Sequence, residues 1–187
     1  APATIYSTID RLLPATRVSI ANGRLGRSVT YWSPPRAAPG RGRPRALSET
    51  ELDSLCEILT KSVEGRLESD VPLCVYLSSG VDSALVAALA SRELGRSLPC
   101  ITVSFPRGNT TDEAPGASAI AEHLKLDYLV VESAEDPESV SAQFQLELLG
   151  QPCENLITAS VFRMASVARE QNYPVGLTGM GGDEIFL

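Results

Sequence analysis

No apolar run in this 187-residue chain approaches the roughly 20 residues needed to cross a bilayer, and no basic-then-apolar leader opens it. A membrane partner and export are therefore unsupported, and the expected location is cytoplasmic. Cysteine is sparse: Cys56, Cys74, Cys100 and Cys153 form no Cys-x-x-Cys pair and have no histidine pair nearby. That spacing suits neither a zinc site nor a disulfide framework, so the thiols are read as reduced and mostly buried. Positive charge is also short. Sixteen Lys and Arg face twenty-three Asp and Glu, a net charge of −7, which argues against a nucleic-acid partner because phosphate contacts need clustered cations. Arg36, Arg41, Arg43 and Arg45 are the local exception, in a Pro/Gly-rich stretch at 34–46. No aromatic is interleaved there for stacking on bases, so the stretch reads as a solvated linker rather than a nucleic-acid arm. The single histidine, His123, sits at a helical spacing that suits a structural position better than a general base.

What is present is ordinary globular material, 43% hydrophobic and 21% charged, enough for one domain or a fragment of something larger. Both ends look cut. The first residue is Ala1, and Leu187 follows an apolar pair directly after a Gly-rich loop.

Residues 17–32 predict a β-hairpin, with Val18 and Ile20 leading to an Asn22-Gly23 turn and Val29 to Trp32 returning. Ser48-Glu49-Thr50-Glu51 is a capping box, and Leu52, Leu55, Cys56, Leu59 and Val63 behind it follow one helical face, so 48–68 is a predicted helix. Strands and helices then alternate. Strands are expected at 73–77, 101–105, 128–131 and 174–178, and helices at 83–94 (closed by Gly95), 113–124, 136–149 and 158–171. Such alternation predicts a doubly wound parallel α/β sheet, in which ligands bind beyond the carboxyl ends of the strands.

Two loops follow strands and carry chemistry. The first, Leu77-Ser78-Ser79-Gly80-Val81-Asp82-Ser83, has small residues that let backbone wrap a phosphate, hydroxyls, and a helix N-terminus facing the anion. Asp82 would repel a phosphate unless a divalent cation lay between, and Mg²⁺ held by one or two carboxylates plus phosphate oxygens resolves this. The bland alternative is an ordinary strand-to-helix turn with Asp82 or Ser83 as the cap. The second loop, Thr178-Gly179-Met180-Gly181-Gly182-Asp183-Glu184, offers three glycines and a second carboxylate; its alternative is a Gly-rich turn capped by Asp183. If the strands order third, second, first, fourth, both loops meet at the switch point, with Asp82 and Asp183 converging on one metal–phosphate group.

Ser78-Ser79-Gly80-Val81-Asp82-Ser83 resembles the pyrophosphate loop of the ATP pyrophosphatase (PP-loop) superfamily, and the second loop narrows the resemblance to the asparagine synthetase branch. Asp112-Glu113, Ala117, Ala121 to Leu124 and Tyr31 to Pro34 also resemble that branch, and Thr4 to Pro14 is similar to the trailing end of its glutaminase domain. The resemblance implies residues 1–33 as a glutaminase-like tail with the hairpin, 34–47 as a linker, and 48–187 as part of an ATP-binding synthetase domain. It implies that Leu77 and Val103 line the nucleotide site through their strands. Ser78, Ser79, Gly80 and Ser83 would bind pyrophosphate, Thr178 and Gly179 AMP, and Asp82 with Asp183 Mg²⁺. The implied partners are a small-molecule or peptide carboxylate, an amine donor, the glutaminase-like domain and a C-terminal helical part. The implied reaction is ATP-dependent amide formation through an acyl-adenylate.

The chain departs from that pattern at three places. Ser79 replaces a glycine, Gln151-Pro152-Cys153-Glu154 replaces an Asp-Glu-Pro, and Met180 stands where asparagine synthetases carry a glutamate. The last two departures fall on the substrate side. They suit relatives that join another amine, such as lasso-peptide cyclases and β-lactam synthetases, or a nucleotide-binding module without catalysis.

Overall fold

The computed structural model describes residues 3–34, 46–104, 112–132, 146–147, 149–150 and 157–186. The arginine-bearing stretch, Gln151 to Glu154 and most of the helix expected at 136–149 lie outside the described residues. The chain forms two compact units, Ala1–Ala46 with Gln145–Cys153, and Leu47–Phe144 with Glu154–Leu187.

In the first unit, β2 (Ile20–Ala21) and β3 (Arg24–Leu25) pair antiparallel about Asn22-Gly23, whose φ values of 49° and 72° are those of a two-residue hairpin turn. β1 (Thr16–Arg17) and β4 (Val29–Thr30) pair outside them, so the hairpin predicted over 17–32 is present as two short ladders.

The second unit opens with α1 (Glu49–Leu67). Ser48 caps it as the sequence predicts: Glu51 N–H donates to Ser48 Oγ at 3.4 Å, and Ser48 N–H donates to Glu51 Oε2 at 2.9 Å. The apolar periodicity is used over only half its length. Val63 is buried, with Leu59 and Leu67 packed beside it, whereas Leu52 is 51% exposed and Cys56 is exposed. Cys56 lies against the Arg92 side chain of α2 and stays exposed, so the expectation that Cys56 is a core residue does not hold.

Then follow β5 (Leu73–Tyr76), α2 (Val81–Leu94), β6 (Pro99–Ser104), α3 (Ala114–Leu124), β7 (Asp127–Glu132), α4 (Ile157–Glu170), β8 (Val175–Leu177) and α5 (Asp183–Phe186). The sheet runs β7-β6-β5-β8 with every pair parallel, which is the predicted order of third, second, first, fourth. Strand β5 is buried on both faces, as a central parallel strand is. Leu73, Val75 and Leu77 pack with Ala87, Ala90, Ala117 and Ala121 of α2 and α3, while Cys74 turns to Val167 and Ala168 of α4. Helices thus cover both faces of the sheet. Gly95 ends α2 in the left-handed conformation at φ 61°. Burial lifts the Cys74 thiol to about 11 and the Cys100 thiol to about 12.

The capping box gives a stability prediction. Ser48→Ala should lower unfolding free energy by about 1 kcal/mol, read as a lower urea midpoint at unchanged m-value. An unchanged midpoint would mean that α1 docks independently of its cap.

Candidate functional site

The chain runs outward through β5, β6 and β7, then returns to lay β8 on the other side of β5. Strand order therefore reverses between β5 and β8, and both Gly- and Ser-rich loops leave from the carboxyl ends of those two neighbours.

The first loop is shaped by one buried side chain. Ser83, 5% exposed, accepts from Ser78 N–H at 3.0 Å, pairs with the Ser78 hydroxyl at 2.7 Å, and lies 3.1 Å from the Gly80 carbonyl. Helix α2 begins at Val81, two residues earlier than the sequence suggests, and its N-cap is Gly80, which offers no side chain. Neither Asp82 nor Ser83 is the cap, so the alternative of a side-chain-capped turn does not hold for this loop. No side chain caps the first turn, although Gly80 N–H is taken by Ser78 Oγ at 3.2 Å and Ser83 N lies under Gly179. Asp82 lies in that first turn.

The second loop closes on itself through Gly182 N–H to the Gly179 carbonyl at 3.3 Å and Met180 N–H to Thr178 Oγ1 at 3.3 Å. It then comes down on the first. A methyl group at Gly179 would stand 2.6 Å from Ser83 N and 2.8 Å from the Asp82 carbonyl carbon, closer than any real side chain allows. A methyl at Gly182 would strike the Asp82 carboxylate itself. The Asp82 carboxylate therefore lies against the residue that precedes Asp183.

A third element closes the other side. Gly116 of α3 packs on Ser79, where an added methyl would be 2.6 Å from Ser79 Cβ. The sequence reading passed over Gly116. Its signal was a glycine inside a helix where alanine would be about 1 kcal/mol better, which calls for a close approach as the reason. Nearby, Ser104 Oγ donates to Asp112 Oδ2 at 2.9 Å and Asp112 Oδ1 accepts from Ala114 N–H at 3.3 Å, joining the end of β6 to the start of α3.

Leu77 and Val103 are buried, at 1% and 6% exposure, so any ligand they meet must meet their backbone. Leu77 N–H donates to the Ile101 carbonyl at 3.0 Å. In a parallel pair the groups of Val103, two residues on, face the same side as those of Ile101, toward the Ser78–Gly80 turn. Ser79, Thr178 and Met180 are exposed, Met180 at 70%. Asp82, Thr178, Gly179 and Met180 line a cleft of about 470 Å³ together with Val63, Arg66, Leu85 and Leu89, whereas Ser78, Ser79, Gly80 and Ser83 are not among its lining residues. Exposed His123, in the last turn of α3, is not among the residues that line it. Among the described residues no three His, Cys, Asp or Glu side chains gather as a metal cage. The acidic groups at the loops are hard oxygen donors, the chemistry of Mg²⁺ that is otherwise held by phosphate and water.

The glycine contacts separate two kinds of substitution. Gly179→Ala drives a methyl into α2 backbone, which cannot swing away, whereas Gly182→Ala meets only the end of a side chain. Gly179→Ala should lower the melting temperature by several degrees more than Gly182→Ala in a thermal scan. Equal melting temperatures would mean that the loops do not rest on each other.

The asparagine synthase family model matches residues 54–187. The amidase chyE of Penicillium rubens is 26% identical over 98% of this chain and 29% of its own length. The amidase chry2 of Gibberella zeae is 32% identical over 74% of this chain and 23% of its own length. A putative glutamine-hydrolysing asparagine synthetase of Mycobacterium tuberculosis is 29% identical over 99% and 28%. Among solved structures, an ammonia-dependent NAD synthetase from Campylobacter jejuni aligns at TM-score 0.39 and 19% identity, over 68% of this chain and 55% of that one. The chain thus spans less than a third of the length of these curated relatives. Its family match takes in both loops and the sheet between them, and the chain belongs to the asparagine synthase family.

Proposed function

We propose that this chain binds ATP where the β5 and β8 loops meet and uses it to make an amide bond. The observation that carries the reading is the seating of Gly179 on the backbone of Asp82 and Ser83, which brings two phosphate-type loops against each other. A substrate carboxylate oxygen attacks the α-phosphorus, pyrophosphate departs, and the nitrogen of an amine then displaces AMP from the acyl carbon. Ser78, Gly80 and the first turn of α2 receive the pyrophosphate, and Ser83 holds the loop in shape from beneath. The exposed Ser79 hydroxyl adds a donor at the rim. Thr178 and Gly179 flank the AMP portion, and the backbones of Leu77 and Val103 border it from the sheet. Asp82 and Asp183 would hold Mg²⁺, which supplies charge neutralisation on phosphate oxygens when bound. The residues themselves contribute positioning and a site already shaped for the anion. We read 1–33 as the tail of a glutaminase-like domain and 34–47 as its linker, in keeping with relatives named glutamine-hydrolysing.

The amide formed is the finer question, and Met180 favours a product other than asparagine. It is apolar, reaches into solvent at 70% exposure, and lines the same cleft as Leu85 and Leu89, a wall that suits a larger apolar partner better than ammonium. Two of the relatives are named amidases rather than asparagine synthetases.

Two measurements test these statements. Asp82→Ala should abolish pyrophosphate–ATP exchange and leave the circular dichroism and melting profile intact, because it removes an exposed-side ligand and no core volume. Full exchange in that variant would remove Asp82 from the site. Supplied with aspartate, ammonia and ATP, the wild-type protein should form little asparagine, and Met180→Glu should not by itself restore it. Robust asparagine formation by the wild type would return the chain to amino-acid biosynthesis.

A further inference from the structure

The carbonyl of Leu77, the residue directly after β5, is the last acceptor before the chain turns into the Ser78–Gly80 loop. After Leu77 N–H to Ile101, the next rung of a regular parallel ladder would run from Val103 N–H to the Leu77 carbonyl. Among the described residues that rung is not formed. The acceptor is taken at 2.6 Å by Thr102 Oγ1, a side chain only 3% exposed.

Thr102 is held on the same side by Tyr128. The two hydroxyls are in contact, and Tyr128 donates to the Ala114 carbonyl at 3.3 Å. Burial raises the Tyr128 phenol above its ordinary range, with Asp112 adding to the shift, so it stays neutral and remains a donor. A valine would fill the Thr102 position about as well, beside Ile101 and Val103. A buried hydroxyl costs stability unless its hydrogen bond is used, and here it is used at the root of the loop.

We propose that Thr102 is a positioning residue for the nucleotide: its hydroxyl caps the Leu77 carbonyl, ends the β5–β6 ladder one rung early, and keeps the Val103 backbone open to the ligand. The inference rests on the ATP-binding reading above. Without the hydroxyl, Val103 N–H is free to take the Leu77 carbonyl, zip the strands by one rung, and draw the Ser78–Gly80 turn toward β6.

The test titrates Mg-ATP calorimetrically into the wild-type protein and into Thr102→Val, Thr102→Ala and Thr102→Ser, with amide exchange followed at Val103. Thr102→Ser, which keeps the hydroxyl, should bind within about twofold of wild type, and the other two about tenfold more weakly. Melting profiles should remain cooperative, and the Val103 amide should exchange more slowly in nucleotide-free Thr102→Val than in wild type. If Thr102→Val does not fold, the Thr102→Ala and Thr102→Ser pair carries the comparison. Equal affinity in all four proteins overturns the inference while leaving the nucleotide site standing. Equal weakening in Thr102→Ser assigns the effect to the methyl group and also overturns it. A wild-type protein that binds no Mg-ATP overturns the ATP reading and this inference together.

Discussion

The site depends on one approach of backbone to backbone. Gly179 rests on the first turn of α2 at a separation that no Cβ could occupy. Everything distinctive about the neighbourhood follows from that seating. It brings the loop after the outermost returning strand onto the loop after the first, and it lays Gly182 against the Asp82 carboxylate. The parallel sheet supplies the geometry, because only neighbours in strand order can deliver their carboxyl-end loops to one point. The glycine supplies the distance.

Local hydrogen bonding then fixes what the sheet positions. Ser83 is spent inside its own loop, on Ser78 and Gly80, and is not available as a helix cap. That leaves an uncapped helix end and an exposed Ser79 as the groups turned outward. Ser83 thus satisfies the loop from within, Gly80 N–H is taken by Ser78 Oγ at 3.2 Å, and the end of α2 carries no side-chain cap.

Much of this was legible in the residues. The alternation from Leu73 onward specifies a parallel sheet, and two loops that make chemical sense only together imply the strand order in which they meet. Ser48 to Glu51 marks the start of α1 to the residue. What was not legible depends on contacts distant in sequence. The periodicity of α1 cannot say how deeply its neighbour covers it, so Leu52 and Cys56 share the face of Val63 yet stay exposed, Cys56 against the Arg92 side chain of α2. Helix α2 begins at Val81 rather than at Ser83, whose hydroxyl is bonded back to Ser78 and Gly80 across the loop. Thr102 is invisible to pattern because a threonine in a strand is unremarkable until the carbonyl opposite it is known to lack a rung.

The two thiols in the middle of the sheet carry a consequence of another kind. Cys74 and Cys100 bind their protons more tightly folded than unfolded, with values near 11 and 12 against an ordinary 9.0. By linkage, folding is coupled to proton retention at these sites only above the ordinary thiol range. Their contribution is fully present below about pH 9 and is lost as pH climbs through 11 and 12, where a thiolate would have to form between packed strands. The central strands that place the two loops are therefore indifferent to acidity around neutrality and vulnerable to strong alkali. In mild base, below the pH at which these thiols would ionise, alkylating reagents would find Cys56 long before either of the others.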